Sequence, residues 1–297
     1  MLPGMARVDR PASPGTVSRR RAAADATHVQ VRLTAPRSEL GRVVARHLAH
    51  TAKPAARPGA TVLVNLAAQA PNTLLHDGHA WRRLTPRQLV AQTRRMLADP
   101  ANRDADYIVH ASYAFLDAVD DGAAVGDRLV PIVAAAREAE AMVLGSGRPA
   151  CVVRLGYLYG PELGDLRAYR IAFRIGRPYW AGPSTSLQRH LHTADAARAL
   201  LLVARRRSVS DVVSATDDRP ASFGTFMDHF ARLIGNPLPL HFPALTRPLA
   251  HVVVAEEHMQ MVEIGAGPDP HRRPPGFRPL YPDHRAGLAQ VVDAWSG

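Results

Sequence analysis

The sequence predicts an α/β fold, a Rossmann-like doubly wound parallel sheet, on three observations. Short apolar runs alternate with longer amphipathic stretches from residue 29 to about 155. The runs are almost continuously apolar, as strands are when helices cover both faces of a sheet. The stretches between them carry apolar residues at helical spacing. Strand–helix alternation of this kind closes most readily into parallel β-α-β units.

Taken in order, residues 1–28 are rich in Pro, Ser, Arg and Ala without periodicity and read as a disordered leader. Residues 29–160 form the Rossmann-like core. Its first strand is Val29-Gln30-Val31-Arg32-Leu33, followed by a helix over 39–50 with Leu40, Val43, Val44 and Leu48 on one side. Thr61 to Leu66 is a second strand, and a helix over 86–98 follows. Tyr107 to His110 is a third strand, 129–145 an alanine-rich helix, and Ala150 to Leu155 a fourth strand. Beyond about 160 the pattern turns to loops and short helices, and prolines crowd 237–282. Residues 161–297 therefore read as a substrate-side lobe with a returning strand and helices.

Composition excludes several function classes. The 297 residues carry a formal charge of +11, but all save one of the 37 basic residues are arginines, and they are scattered. That pattern fits the coding bias of a GC-rich genome, and no basic stripe interleaved with aromatics marks a nucleic-acid partner. No apolar run approaches membrane-spanning length, and no apolar segment follows the leader's arginines as a secretory signal needs. A cytoplasmic protein with a small-molecule partner is expected. The single cysteine, Cys151, opens an apolar strand and excludes an internal disulfide. The single lysine, Lys53, lies in a Pro-rich connector, which argues against Schiff-base chemistry.

Several local motifs, in order, are similar to those of the extended short-chain dehydrogenases, the NAD-dependent epimerase/dehydratase family. Val64-Asn65-Leu66-Ala67-Ala68 resembles the strand end beside the cofactor, and Ile108-Val109-His110-Ala111-Ser112 the strand that delivers a catalytic serine. Arg154-Leu155-Gly156-Tyr157-Leu158-Tyr159-Gly160-Pro161 is the most specific match. His190-Leu191-His192-Thr193-Ala194-Asp195 and Gly276-Phe277-Arg278-Pro279-Leu280-Tyr281-Pro282 complete the series. The resemblance implies a substrate-facing serine at Ser112; Tyr157, standing where the family has asparagine, and His192, placed by strand alternation, join it as catalytic candidates. Tyr113, which lies outside the family pattern, Arg154 at a strand end, and His190 are the substrate-binding candidates. Asp195 reads as the cap of the following helix, and no third ligand completes a metal site with the two histidines.

Three features of the family are missing. Its glycine-rich turn, which lets backbone approach a pyrophosphate at a helix N-terminus, is here Thr34-Ala35-Pro36-Arg37-Ser38-Glu39-Leu40-Gly41. Ala35 and Ser38 stand for two glycines, only Gly41 remains, Pro36 removes a donor, and Glu39 adds negative charge. Only about twenty residues separate the first helix's start from Thr61, too few for the usual strand–helix–strand unit. The sheet is thus expected to be truncated at its cofactor edge. Alignment of Pro131 to Val143 with the helix after the serine strand puts Ile132 at the family's tyrosine and Ala136 at its lysine. That pair moves the proton in hydride-transfer chemistry.

These losses lead to the expectation of no cofactor and a cofactor-independent enzyme of the cyclase, dehydratase or isomerase type. It would act on a small oxygenated metabolite in biosynthesis, secondary metabolism by analogy. Two alternatives stay open. One is a non-catalytic partner of an active homologue, paired through the 129–145 helix, which would also serve a homodimer. The other is an NAD(P)-dependent nucleotide-sugar epimerase or reductase.

Overall fold

The computed structural model describes residues 29–51, 59–67, 86–236, 239–242, 246–250, 254–265 and 272–296. The leader 1–28 and the connector holding Lys53 lie outside them. In chain order, β1 (Val29–Leu33), α1 (Glu39–Thr51), β2 (Ala60–Asn65), α2 (Pro86–Ala98) and β3 (Tyr107–Tyr113) lead into the short α3 (Phe115–Asp120). Then come α4 (Val130–Leu144), β4 (Ala150–Leu155), β5 (Tyr157–Tyr159), α5 (Gly164–Arg174), β6 (Leu187–Gln188) and β7 (His190–His192). The chain closes with α6 (Thr193–Arg206), β8 (Val212–Ala215), β9 (Ala221–Ser222), α7 (Phe223–Leu233), α8 (Arg247–Ala250), α9 (Glu256–Ile264) and α10 (His284–Ser296). The four expected core strands and three expected helices are all present, within three residues at each end.

The main sheet is parallel throughout, in the order β1-β2-β3-β4-β8. Alternate residues divide it into two cores. Val62, Val64, Tyr107, Val109, Cys151, Val153 and Val213 pack with α1 and α6 on one face. Leu63, Ile108 and Ala150 meet Met96 of α2 and Val143 of α4 on the other. Burial pushes the Cys151 thiol up to about 12, which keeps it protonated and inert.

Truncation at one edge has a topological result. The connections β1-α1-β2 and β2-α2-β3 both step one strand in the same direction, yet their helices cover opposite faces. The two connections therefore have opposite hands, and one runs against the right-handed preference of parallel crossovers. In the resembled family α1 leads outward to a further strand. Here the chain between Thr51 and Ala60 is too short for that unit, and it must double back to β2.

The C-terminal lobe has its own core, built on Tyr159, Tyr169, Phe173, Tyr179, Trp180, Phe223, Phe226 and Phe230. A second small sheet joins it to the first: β5 and β7 pair in parallel, with Tyr157 opposite His190 and Tyr159 opposite His192. Leu158 and Leu191 point back to the main core, so the tyrosines and histidines face the lobe. Gly156 makes the passage from β4 to β5 possible, since a Cβ there would lie 2.8 Å from the Arg189 carbonyl oxygen.

Gly41 is the tightest point of the β1–α1 turn, where a Cβ would run into the Ala35 carbonyl oxygen. Gly41→Ala is expected to cost about 1–3 kcal/mol, as overpacking against backbone does, read as a lowered midpoint of urea unfolding.

Candidate functional site

The C-terminal ends of the main strands carry the candidate residues, the side of a parallel sheet on which ligands bind in open α/β folds. At the first strand end, Thr34 bonds across to β2: its backbone N–H donates to the Val64 carbonyl, and its hydroxyl to Asn65 Oδ1 at 3.0 Å. Asn65 in turn bonds His110 Nδ1 at 2.8 Å. His110 is fully buried, and burial pulls its pKa down to about 4. In the turn, Ser38 donates from both its backbone N–H and its hydroxyl to the Ala35 carbonyl, and its hydroxyl accepts from the Gly41 N–H. Ser38 thus closes the turn that Gly41 lets the helix approach. Glu39 turns its carboxylate to the Gly164 N–H at 3.3 Å. Arg37 and Arg42 stand exposed beside the N-terminus of α1.

A buried ionic cluster lies under the ends of β3 and β4. Arg154 donates through Nε and one terminal nitrogen to both oxygens of Glu140, at 3.0 and 2.8 Å. Its other terminal nitrogen reaches Asp117 at 2.8 Å and Asp120 at 2.7 Å. Ser112 donates to Glu140 at 2.6 Å, and Ser214 to Asp117 at 2.5 Å. Burial works against the Arg154 charge, but the carboxylates outweigh it and hold the guanidinium protonated. Partial burial of Asp120 is likewise outweighed, by Arg154 and Arg137, so its carboxyl sits below the usual range. Arg154 is 6% exposed and pairs with the carboxylates of Asp117, Asp120 and Glu140, so it braces β4 against α3 and α4. Tyr113, half-buried at the end of β3, stacks on Phe115 at 5.4 Å, and burial raises its phenol.

The remaining candidates sit together on β5 and β7. Tyr157 packs edge-on against His190 at 5.8 Å, and burial, with a contribution from Asp165, keeps its phenol protonated. His190 is fully buried and stacked on Phe226 at 4.3 Å. His192 Nδ1 accepts from the Ala194 N–H and caps α6, which leaves Nε2 to donate to Gln290 at 2.9 Å. The cap expected of Asp195 is therefore supplied by His192, because α6 begins two residues before Asp195. The Asp195 carboxylate instead accepts from the backbone N–H groups of Leu280 and Tyr281, tying the proline-rich tail to α6. The structure thus forms two groups, one around Ser112 and Arg154 and the other around Tyr157, His190 and His192, joined by the short run from Arg154 to Tyr157. Among the described residues, no three His, Cys, Asp or Glu side chains gather as a metal-binding group.

No protein-family profile matches the chain. A 3-diazoavenalumate denitrifying reductase from a Streptomyces species is 30% identical over 219 residues, spanning 72% of this chain and 68% of that protein. A human epimerase family protein solved with NADPH superposes with a TM-score of 0.66 at 15% identity, over 90% of this chain and 99% of that one. UDP-glucose 4-epimerase from Thermotoga maritima, solved with UDP-glucose, gives 0.63 at 13% identity, over 91% and 98%. The chain belongs to the NAD-dependent epimerase/dehydratase family. A further structure of this fold, RMD from Pseudomonas aeruginosa complexed with NADPH, gives 0.59 at 14% identity, over 91% and 99%.

Among family members of known structure, nicotinamide cofactors recur, and the relative in sequence is a reductase. The expectation of no cofactor is corrected by these findings. The physical reason lies in the turn. Glu39 is engaged by the Gly164 N–H, Gly41 allows the close approach of α1 to the turn, and two arginines stand exposed beside it. Sequence reading counted glycines and weighed Glu39 by type, and neither showed where the side chain goes. Asp117 and Glu140 meet Arg154 from α3 and α4, and no motif in the sequence marks them as its partners.

Arg154→Ala would leave three carboxylates at the sheet end without their cation. A loss of about 3–5 kcal/mol is expected, as for other broken buried pairs, measured by urea unfolding. Glu140→Gln keeps the shape and should cost less.

Proposed function

We propose that this family member is an NAD(P)-dependent reductase that removes dinitrogen from a small diazo compound. The observation that carries the reading is the 30% identity, over most of both chains, with a denitrifying reductase acting on 3-diazoavenalumate. The cofactor would supply a hydride. The positive end of the α1 dipole would draw the pyrophosphate, and Arg37 and Arg42 would neutralise it.

The missing tyrosine and lysine fit this chemistry. Ile132 is packed among Leu129 and Met261, and Ala136 is buried against Leu89 and Leu116, so α4 offers no proton donor at those positions. Reducing a carbonyl leaves charge on oxygen and calls for such a donor. Replacing a carbon–dinitrogen bond does not. The carbon bearing N2⁺ gains H⁻, the carbon–nitrogen bond breaks, dinitrogen leaves, and charge balances with no proton from the protein. A sugar epimerase, which must take a proton from a hydroxyl as it oxidises, is disfavoured by the same two residues.

The test is purified protein with NADPH or NADH and 3-diazoavenalumate, following cofactor oxidation by absorbance and dinitrogen by mass spectrometry. One cofactor oxidised per dinitrogen released is expected. No binding at millimolar cofactor, or oxidation without dinitrogen, would overturn the reading. Arg37→Ala should weaken cofactor binding roughly tenfold, about 1.4 kcal/mol, in a fluorescence titration.

A further inference from the structure

Apolar side chains scattered singly over a protein surface are ordinary, and they carry meaning where they gather. The three large apolar side chains most open to solvent among the described residues gather at one end of the C-terminal lobe. Ile171 is 63% exposed, Ile175 73% and Leu240 67%. Ile171 lies on α5 and Ile175 caps its C-terminus one turn later, so the two stand side by side. Leu240 is brought to the same end by backbone pairing. The Tyr179 N–H donates to the Leu240 carbonyl and the Phe242 N–H to the Tyr179 carbonyl, each at 3.0 Å. The strip 239–242 thus lies against the chain only four residues beyond Ile175. The lobe's own core does not use these side chains, since α5 packs inward through Leu166, Tyr169 and Phe173.

Arginines surround them. Arg167 and Arg174 are exposed one turn before and one turn after Ile171, on its face of α5. Arg170 and Arg177 flank that face, half-buried. Among the described residues none of the four pairs with a carboxylate. Arg167 and Arg170 lie over the Trp295 ring of α10, at 5.5 and 5.9 Å, and Arg167 also reaches the Pro161 carbonyl. The acids nearby are engaged or turned away. Asp165 is buried, and Asp228 bonds His241 at 2.8 Å. Asp293, two residues before Trp295, stands on the opposite side of α10.

We propose that this face docks the protein on an anionic lipid bilayer. Protruding alkyl groups ringed by one sign of charge are complemented by a surface of uniform negative charge over an apolar interior. A bilayer of anionic lipid has both. The arginine stems run along the isoleucines while the guanidinium groups stay level with the lipid phosphates, which their planar forks fit. With no carboxylate interspersed, the charge of this face selects for sign and not for pattern, and a lipid surface asks no more. The attachment is peripheral, as no helix among the described residues is long and apolar enough to cross a membrane. It goes beyond the reductase reading, because it concerns where the protein rests and not what it turns over.

The test uses the full chain and vesicles alone, so its failure and that of the reductase reading are separate. Flotation on a density gradient is measured with vesicles of equal parts phosphatidylglycerol and phosphatidylcholine, and with phosphatidylcholine alone. Flotation with the mixed vesicles only is expected, at physiological ionic strength. Ile171→Ser combined with Ile175→Ser should lower the affinity roughly tenfold, since alkyl burial is lost with the charge unchanged. Arg174→Glu should lower it by about the same factor through charge alone. All three positions are exposed, and an unchanged midpoint of urea unfolding checks that the fold is kept. Should the double variant unfold, Leu240→Ser carries the apolar half of the test, with a severalfold loss expected. Absence of flotation would overturn the proposal and favour an acidic protein face as the complement. Flotation indifferent to the apolar variant, or to Arg174→Glu, would overturn it in favour of the chain's diffuse positive charge.

Discussion

The guanidinium of Arg154 is the interaction on which the site end of the sheet depends. It sits opposite Ser112, one position before the pairing of β3 and β4 ends, and its carboxylate partners come from the middle and the last residue of α3 and from α4. Through Ser112 and Ser214 the same cluster reaches the strands on either side. A charge in such a place is expensive to desolvate, and only good geometry on every donor offsets that. The two bonds to Glu140 supply it, holding the planar guanidinium against a planar carboxylate. The position of α4 over the sheet, and with it the surroundings of Ser112, follows from this arrangement.

Much of this fold was legible in the sequence because its strands are covered on both faces. Continuous apolar runs such as Val62 to Val64 and Cys151 to Val153 have few readings besides a buried parallel strand. The truncated edge was legible too, since chain length alone forbids a further strand–helix–strand unit before Thr61. The opposite hands of the first two connections were not, because periodicity says which residues are buried and nothing about which face of the sheet receives them. α1 goes to the face of α6, an element it meets only after most of the chain has passed.

The site was legible in its parts and less so in its connections. Ser112, Tyr157, His190 and His192 were singled out by motif, but motif does not say where a hydroxyl proton goes. Ser112 donates to Glu140, twenty-eight positions away, and His192 spends one nitrogen on a helix cap. The glycine-rich turn shows the same limit from the other side. Four unfavourable residues, Ala35, Pro36, Ser38 and Glu39, suggested a site taken apart, whereas the folded turn engages Glu39 with Gly164 and keeps Gly41 where the backbone comes closest. Side-chain direction at a turn depends on partners such as Gly164 that lie far off in sequence.

The placement of α1 also bears on the order in which the molecule can be assembled. β1 is an edge strand with β2 as its neighbour among the described residues, and α1 rests on α6, with Arg46 reaching Glu162, which also receives the Thr193 hydroxyl. Contacts between segments so distant are slow to form, because the intervening chain must be ordered first. During synthesis β1 can pair with β2 early, but the face of α1 that rests on α6 stays uncovered until α6 has followed it out. An early helix of the chain thus has its contacts completed by a late one.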